Sequence, residues 1–332
     1  MENRRRIILA TVELEETAKS RLVSSLESGW ELKMEEEISE NDWGQVEILL
    51  LGFRSYWLTP ERLHPMKNLR LIQTFSAGVD HIDFGVIPPE VTICSNAGAY
   101  GGPISEFVLG AVIALARDLY SHDKVIREGK FVQAPLERYM NGTTVGIIGT
   151  GGIGQDVARL AKAFGMKTIG INTSGKPVSN FDRVLGSDGL PSLLRESDVI
   201  VVAVPLTVKT KNLLGRNEFR LVKPDCIIVN VARGAIINEE ALYEFLRDHP
   251  QAKAALDVWW RYPKSGDDTF HQDYPISSLP NVLSSPHFSD GVKENVKLGS
   301  ENAIENVIRY LRKEPLKGVV NREDYIGLRH GS

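Results

Sequence analysis

Short apolar runs alternate with amphipathic stretches through the first hundred residues of the chain. Residues 6–10, 46–52, 69–75 and 91–95 are rich in β-branched and aliphatic residues, so each is a predicted strand. The polar and apolar positions of residues 15–27 instead follow the period of a helix. This alternation predicts a small parallel α/β domain.

A second and longer alternation follows, with predicted strands at residues 144–148, 167–171, 199–204, 226–231 and 254–258. Segments of helical length, such as residues 153–164 and 239–248, separate them. The runs are apolar without alternation, as expected of strands that are covered by helices on both faces. The predicted fold class is α/β, with two doubly wound parallel-sheet domains, the larger a Rossmann dinucleotide-binding domain.

The domain boundaries are predicted from two breaks in these patterns. Residues 96–103 hold three glycines and a proline before an Ala-rich apolar helix at residues 104–118. After Pro286 a long amphipathic helix, residues 291–312, is expected to return to the first domain because the second sheet is already complete. Residues 1–100 plus 288–332 are thus predicted to form a discontinuous, flavodoxin-like substrate-binding domain, and residues 101–287 the dinucleotide-binding domain.

Composition narrows the classes of partner. The net charge of −4 over 332 residues gives no electrostatic reason to expect nucleic acid or an anionic membrane, so small molecules are the expected partners. Cys94 and Cys226 each lie in an apolar run, which indicates buried thiols rather than a disulfide, and no metal site is predicted. The sequence contains no signal-peptide core and no run of membrane-spanning length, so a cytoplasmic location is expected.

A glycine-rich turn joins the first strand of the second alternation to the helix that follows. Gly149, Gly151 and Gly154 stand in the order G-x-G-x-x-G, which permits a tight turn, a close approach of a pyrophosphate and close packing of helix on strand. The amino terminus of the helix adds free N–H groups and the positive end of its dipole. The motif alone is weak, but its place between strand and helix predicts a dinucleotide site.

The next strand indicates which dinucleotide. NAD-binding domains carry an acidic residue at its end for the ribose hydroxyls, whereas this chain has Asn172 there. Without that charge a 2′-phosphate is not repelled, and Thr173, Ser174 and Lys176 could donate to it. NADP(H) is therefore favoured, with NAD(H) use also allowed. The alternative is that Asn172 binds the ribose hydroxyls and Lys176 is a solvated loop cation.

Two residues in the second domain carry the predicted chemistry. Arg233 follows a strand at its carboxyl end, where open α/β sheets bind ligands, and its guanidinium can grip a carboxylate and a neighbouring carbonyl oxygen. Gly234 is expected to leave room for the substrate. His287 lies between a short strand and the returning helix, and can give a proton to a forming alkoxide because its pKa lies near working pH. The alternatives are a structural ion pair for Arg233 and a structural role for His287.

The ordered motifs resemble the D-isomer-specific 2-hydroxyacid dehydrogenases over nearly the whole chain. FSAGVDHID at residues 75–83 looks like the substrate-carboxylate loop of that family, and ISEFVLG at residues 104–110 looks like the start of its V-A-E helix. VPLTVKTKNLL, NVARGAIINEEAL, ALDVW and SPH then follow in the order of the family.

The resemblance implies a role for each matching residue. Arg233 would bind and polarise a 2-oxoacid, His287 would be the acid-base, and the backbone amides of Ala77, Gly78 and Val79 would hold the carboxylate. It also implies a homodimer formed through the helix that begins near Ile104. The predicted cofactor-binding set is Gly151, Gly152, Ile153, Asn172, Thr173, Ser174, Lys176, Val204, Pro205, Thr210, Val231, Ala232, Asp257 and His287.

Two positions depart from the pattern of the family. Its members usually carry a Glu five residues after the Asp that matches Asp257, where it hydrogen-bonds the catalytic His; this chain has Tyr262. Losing that carboxylate is expected to lower the pKa of His287, because the imidazolium loses an opposite charge. Tyr262 could orient the ring through its hydroxyl, or Asp267 or Asp268 could supply an acid. Asn238 replaces the Asp often found in the NEEAL segment.

The leading hypothesis is therefore reduction of a small 2-oxoacid, such as glyoxylate, hydroxypyruvate or pyruvate, to the D-2-hydroxyacid. A formate dehydrogenase-like enzyme is an alternative because such enzymes also lack the Glu, although they carry Gln there. A phosphoglycerate dehydrogenase-like enzyme would need cations for the phosphate. A non-catalytic nucleotide-sensing module is the third alternative, but it would need neither Arg233 nor His287.

Overall fold

The computed structural model describes residues 5–53, 55–133, 137–263 and 267–328, and the chain divides into two compact units. Of the described residues, those within 5–100 and 292–328 form the first unit, and those within 101–291 form the second. The loop that carries His287 is part of the second unit, since the chain returns to the first only at Val292.

Within the residues that the structure describes, five strands belong to the first unit and seven to the second. They are β1 (Arg6–Ala10), β2 (Trp30–Met34), β3 (Val46–Leu51), β4 (Leu71–Thr74), β5 (Thr92–Cys94), β6 (Thr144–Ile148), β7 (Lys167–Ile171), β8 (Arg183–Leu185), β9 (Val199–Val202), β10 (Ile227–Asn230), β11 (Lys253–Leu256) and β12 (Val282–Ser284). The helices are α1 (Glu16–Ser24), α2 (Pro60–Leu63), α3 (Gly101–Ala116), α4 (Leu119–Arg127), α5 (Gly152–Ala163), α6 (Leu190–Glu196), α7 (Arg216–Phe219), α8 (Glu239–Asp248) and α9 (Asn295–Leu311).

The sheet of the first unit is parallel, with strand order β2-β1-β3-β4-β5. This is the flavodoxin-like order, in which the chain reverses direction between β1 and β3. Apolar clusters cover both faces; one contains Ile7 and Leu49, and the other packs the sheet against α1 and α9. Strand β2 was not predicted because it is an edge strand whose five residues are all half-buried, so its sequence WELKM lacks a continuous apolar run.

The sheet of the second unit is also parallel, with strand order β12-β11-β10-β9-β6-β7-β8. The predicted α/β fold class, with two doubly wound parallel sheets, is confirmed. β8 was not predicted because it has only three residues and lies at the edge. The chain reverses direction between β6 and β9, and open sheets of this kind bind ligands outside the carboxyl ends of the strands at such a reversal.

Both cysteines are buried and free, as their apolar surroundings predicted. Burial raises the pKa of the Cys94 thiol to about 11 and raises the pKa of Cys226 as well. Both thiols therefore stay protonated and unreactive near neutral pH. Among the described residues, no helix combines the length and the apolar character needed to cross a bilayer.

Candidate active site

The glycine-rich turn has the shape that its sequence predicted. Gly149 has a φ of +107°, and a Cβ there would overlap the carbonyl oxygen of Ala203, which follows β9. A Cβ at Gly154 would overlap the carbonyl oxygen of Gly149, so helix α5 packs directly on the turn. A Cβ at Gly151 would have no protein atom within 4 Å. Two of the glycines are required by the protein itself, and Gly151 faces open space.

This turn fits the pyrophosphate of a dinucleotide. Gly151 is the N-cap of α5, and the first amides of any helix, here those of Gly152, Ile153 and Gly154, have no acceptor within the helix. They point to the same side as the positive end of the helix dipole. A glycine facing open space at this point lets a phosphate approach the backbone more closely than any side chain would allow.

The loop after β7 is organised by the side chain of Asn172. Its Nδ2 donates to Thr150 Oγ1 and to the carbonyl oxygen of Lys176, both at 3.1 Å. Its Oδ1 accepts from the backbone N–H and the hydroxyl of Ser174, both at 3.1 Å. An amide has two donor hydrogens and two acceptor lone pairs, so this side chain is fully used inside the protein. Thr173, Ser174 and Lys176 themselves are exposed.

Arg233 lies in a loop whose backbone is hydrogen-bonded to the side chain of Asn230. Asn230 is fully buried at the end of β10; its Nδ2 donates to the carbonyl oxygen of Arg233 at 3.0 Å, and its Oδ1 accepts from the amide of Ala232 at 3.1 Å. The guanidinium of Arg233 is half-buried and donates to the carbonyl oxygen of Ala232 at 2.7 Å. The end of β10 and the buried side chain of Asn230 thus fix the backbone from which the Arg233 side chain extends.

Neighbouring loops support the turn that follows Arg233. The amide of Asn212 donates to the carbonyl oxygen of Ala235, and Leu214 forms a parallel bridge with Ile237. A Cβ at Gly234 would overlap the backbone carbonyl of Trp259. The expectation that Gly234 makes room for substrate is therefore wrong, because the space that its missing side chain leaves is filled by the backbone after β11.

The loop that carries His287 is fastened to Asp257, which is fully buried just after β11. Asp257 Oδ1 accepts from the hydroxyl of Ser285 at 2.7 Å and from the amide of Phe288 at 2.8 Å, and Oδ2 accepts from the amide of Ser289 at 3.1 Å. His287 is exposed between these anchors, with a φ of +57° that β-branched and bulky residues rarely adopt. The Asp257 carboxylate therefore fixes the backbone on both sides of His287. The predicted contacts of Asp257 and His287 with the cofactor stay predictions.

Tyr262 lies beside His287. Their ring centroids are 5.4 Å apart with an interplanar angle of 40°, and Tyr262 Oη accepts from the amide of Trp259 at 3.2 Å. Asp267, one of the acids considered as a substitute, accepts from the amide of Thr269 at 2.8 Å. The aromatic ring of Tyr262 is thus a neighbour of the imidazole, at the position where the family that the sequence resembles usually has a Glu.

These loops share one edge of the second sheet. Because all the strands are parallel, their carboxyl ends lie together, and the register aligns Asn230 with Leu256 and Leu256 with Ser284. His287 follows β12, Asp257 follows β11, Arg233 follows β10, and the glycine turn and Asn172 follow β6 and β7. The remaining predicted cofactor residues on this edge, Val204, Pro205, Thr210, Val231 and Ala232, lie in the loops after β9 and β10.

Hydrogen bonds within the loops after β9 and β10 hold the side chains of Thr210 and Asn238. The hydroxyl of Thr210 donates to the carbonyl oxygen of Pro205 at 2.7 Å and accepts from the amide of Thr207 at 2.8 Å, so it shapes the loop after β9. Asn238 is the N-cap of α8 and its Oδ1 accepts from the amide of Ala241 at 2.9 Å. Asn caps a helix as well as Asp does, so this departure costs the fold nothing.

The predicted carboxylate loop lies in the first unit, directly after β4. Ala77 and Gly78 are half-buried and Val79 is 1% exposed. The carbonyl oxygen of Phe75, at the start of the loop, accepts from Tyr100 Oη at 2.8 Å and from Asn96 Nδ2 at 3.3 Å. These buried donors fix the backbone from which the loop begins.

Sequence reasoning missed several residues that build the site. Thr150 Oγ1 accepts a hydrogen bond from Asn172 Nδ2. The carbonyl oxygen of Ser285 accepts from Trp259 Nε1, and the Ser285 hydroxyl donates to Asp257. In the sequence, Thr150 and Ser285 are distinguished only by lying close to Gly151 and His287, respectively. The sequence shows Trp259 and Trp260 as two adjacent aromatic residues, but the acceptor of each indole N–H depends on tertiary packing.

The sheet order, the glycine turn at its reversal and the polar residues along the same edge define a dinucleotide-binding enzyme. The family sequence model described as D-isomer specific 2-hydroxyacid dehydrogenase, NAD binding domain, matches residues 109–289. The chain belongs to this family. The predicted family and the predicted enzyme class, an oxidoreductase acting on CH–OH groups, are thereby confirmed.

Two curated relatives have different names and lengths. A glyoxylate reductase of Korarchaeum cryptofilum is 32% identical over 264 residues, which are 77% of each chain. A D-3-phosphoglycerate dehydrogenase of Methanocaldococcus jannaschii is 33% identical over 80% of this chain and 50% of its own length. The chain thus spans about half the length of that second relative.

Two solved structures share the fold over nearly the whole chain. A candidate formate dehydrogenase from Pyrobaculum aerophilum is 27% identical, with a TM-score of 0.80 over 96% of this chain and 99% of that one. An acyclic imino acid reductase in complex with NADPH and D-Arg is 25% identical, with a TM-score of 0.75 over 95% of this chain and 100% of that one.

Proposed function

We propose that this protein reduces a small 2-oxoacid of the glyoxylate, hydroxypyruvate or pyruvate class to the D-2-hydroxyacid, with NADP(H) as the favoured cofactor. The carrying observation is that Arg233 and His287 follow β10 and β12, on either side of β11, along the edge that also bears the glycine turn. A cation and a titratable donor on one edge with a dinucleotide-binding turn suit hydride transfer to a carbonyl.

The proposed roles follow from what each group can do. Arg233 binds the substrate carboxylate and the carbonyl oxygen, where charge develops during reduction. A reduced nicotinamide dinucleotide held at the Gly149–Gly154 turn would supply the hydride, with its two electrons, that the carbonyl carbon requires. The imidazolium of His287 gives its proton to the carbonyl oxygen, so that the oxoacid becomes the hydroxyacid and the imidazole becomes neutral. The amides of Ala77, Gly78 and Val79 are proposed as further carboxylate contacts on the resemblance alone.

The cofactor preference rests on the saturated side chain of Asn172. Because both polar atoms of its amide are used within the protein, Asn172 is a poor candidate for binding ribose hydroxyls, which weakens that alternative. The exposed Thr173 and Lys176 next to it offer one hydroxyl and one ammonium, whereas the single hydroxyl proton of Ser174 is already donated to Asn172 Oδ1. We assign Thr173 and Lys176 to the 2′-phosphate of NADP(H), and Ser174 to holding the side chain of Asn172.

The homodimer is proposed on an exposed apolar surface beyond α3. The helix α3 packs on α5, but Tyr120 and Ile126 of α4 are 73% and 56% exposed, and Phe131 after it is 85% exposed. Large exposed apolar side chains concentrated in one short segment are candidates for burial in an interface. Light scattering should give the mass of two chains, and the double variant Tyr120→Ser with Phe131→Ser should give the mass of one.

The activity is tested with purified protein. NADH and NADPH are each assayed with glyoxylate, hydroxypyruvate, pyruvate and phosphohydroxypyruvate, and the oxidised cofactors are assayed with formate. Turnover of one of the first three oxoacids, lost in His287→Asn, is the expected result. Turnover only of phosphohydroxypyruvate or only of formate would replace the proposed function by one of those activities, and tight cofactor binding with no turnover would indicate a sensor.

The cofactor assignment is tested by Lys176→Ala. We expect KM for NADPH to rise about tenfold, the equivalent of about 1.4 kcal/mol, while KM for NADH stays within about twofold. Lys167→Ala is the matched control, because Lys167 is also exposed but begins β7 at the opposite end of the strand. Equal effects on both cofactors, or a wild-type preference for NADH, would contradict the assignment.

A further inference from the structure

Two adjacent tryptophans follow β11, and their indole N–H groups donate to different loops. Trp259 Nε1 donates to the carbonyl oxygen of Ser285 at 2.9 Å, and Trp260 Nε1 donates to the carbonyl oxygen of Ile237 at 2.7 Å. Ser285 lies two residues before His287, and Ile237 ends the short turn that follows Arg233. One dipeptide therefore holds a loop on each side of β11.

The backbone of the same dipeptide touches the Arg233 loop directly. A Cβ at Gly234 would overlap the Trp259 carbonyl and would come within 2.7 Å of the Trp260 nitrogen. A glycine is therefore required next to Arg233 so that this loop can lie against the dipeptide. The contact and the Trp260 hydrogen bond together fix the loop at both ends of its short turn.

The contacts on the His287 side are sheltered from water. Trp259 is 7% exposed, and the ring of Phe270 packs edge-on against it, with centroids 4.6 Å apart. A hydrogen bond in such surroundings is stronger than one that water can replace. The amide of Trp259 also donates to Tyr262 Oη, and the ring of Tyr262 lies beside His287. Trp259 thus reaches the His287 loop through Ser285 and the imidazole through Tyr262.

We infer that Trp259 and Trp260 are positioning residues that set the spacing between His287 and Arg233. This inference rests on the proposed roles of those two residues. Strand β12 has only three residues, so the sheet alone gives the His287 loop little support. The dipeptide and Asp257 supply that support from β11. Misplacement of a reacting group by about 1 Å can cost about a hundredfold in rate, so two directed hydrogen bonds matter for catalysis.

The test compares Trp259→Phe and Trp260→Phe, each of which removes one N–H and keeps an aromatic ring. Trp259→Phe should lower kcat about tenfold and move the limb of the pH profile that reports His287, with little change in KM for the oxoacid. Trp260→Phe should raise KM for the oxoacid about tenfold, because Arg233 binds the substrate in its ground state as well as in the transition state.

Trp57→Phe is the matched control. Trp57 is 2% exposed and its Nε1 donates to Glu35 at 2.6 Å, but it lies in the core of the first unit. It should lose a similar amount of thermal stability and keep the kcat, KM and pH profile of the wild type. Phe270→Leu, at a residue that is 42% exposed, is a milder second variant that should lower kcat in the same direction as Trp259→Phe.

The outcomes separate the two claims. An active wild type whose Trp259→Phe and Trp260→Phe variants keep kcat and KM within twofold, or change both in the same way as Trp57→Phe, overturns the inference alone. A wild type that reduces none of the oxoacids overturns the proposed function, and this inference with it. The split between kcat and KM, with an unchanged control, supports the inference.

Discussion

The rings of Tyr262 and His287 lie side by side, with their centroids 5.4 Å apart. The proposed proton donor therefore has an aromatic neighbour at the position where the sequence pattern of the family suggested a carboxylate. The imidazole contacts this ring, and the loop that carries it is anchored to Asp257. A change at position 262 should consequently alter the pH dependence of the reaction.

Tyr262→Glu places a negative charge next to the imidazolium and should raise the pKa of His287. In the direction of oxoacid reduction, which needs the protonated ring, activity should then persist to higher pH. The pH profile of kcat/KM measures the shift. Tyr262→Phe keeps the ring without a charge and should leave that limb in place; an unmoved limb in the Glu variant would contradict the proposed pairing of these two positions.

Asp257→Asn should loosen the His287 loop. An amide offers one acceptor oxygen where the carboxylate now accepts from Ser285, Phe288 and Ser289. Hydrogen bonds to charged groups contribute about 1.5–3 kcal/mol each, so we expect a loss of about 3 kcal/mol in the free energy of unfolding and at least a tenfold fall in kcat. Asp248→Asn, at an exposed carboxylate paired with Arg247, should change the free energy of unfolding by under about 0.5 kcal/mol. Equal stability losses in the two variants would show that the buried carboxylate has no special role.

Gly151→Ala and Gly154→Ala should separate folding from cofactor binding. Gly154→Ala forces a methyl group against the carbonyl oxygen of Gly149 and should cost about 1–3 kcal/mol of stability. Gly151→Ala adds a methyl group in open space and should cost under about 1 kcal/mol, yet weaken cofactor binding at least tenfold by blocking the approach of the pyrophosphate. Thermal melting and titration of NADPH fluorescence measure the two effects. Normal cofactor affinity in Gly151→Ala would place the pyrophosphate elsewhere.

The first unit should lose stability in acid through Asp42. Its carboxylate is 2% exposed and is bound by the Lys33 ammonium and by the hydroxyl and amide of Ser39, which hold its pKa well below the ordinary value. The folded pKa is thus lower than the unfolded one, so this stability is complete above about pH 4 and falls as pH drops below that. Acid unfolding should be less steep in Asp42→Asn, which is less stable at pH 7, than in the wild type. An identical slope would exclude Asp42 as a source of acid sensitivity.

The sequence by itself determined the fold class and the main positions of the site. Continuous apolar runs, such as residues 199–202, are typical of strands covered on both faces. Gly149 and Gly154 are required by close backbone contacts, and the glycine at 151 is explained by the predicted approach of a phosphate. Arg233 and His287 were found because they follow strands, and the carboxyl ends of parallel strands meet at one edge. These features depend on local periodicity and strand direction, which a sequence carries.

The tertiary structure decided which partners those residues have. The edge strands β2 and β8 escaped prediction because a short or half-buried strand leaves no apolar run. The assignment of Gly234 to the substrate was wrong because the backbone that fills its space comes from a segment 25 residues away in the chain. The saturation of Asn172 and the two directions of the Trp259 and Trp260 indoles depend in the same way on how separate loops pack. Hydrogen-bond partners distant in the chain leave no local pattern, so only the folded arrangement specifies them.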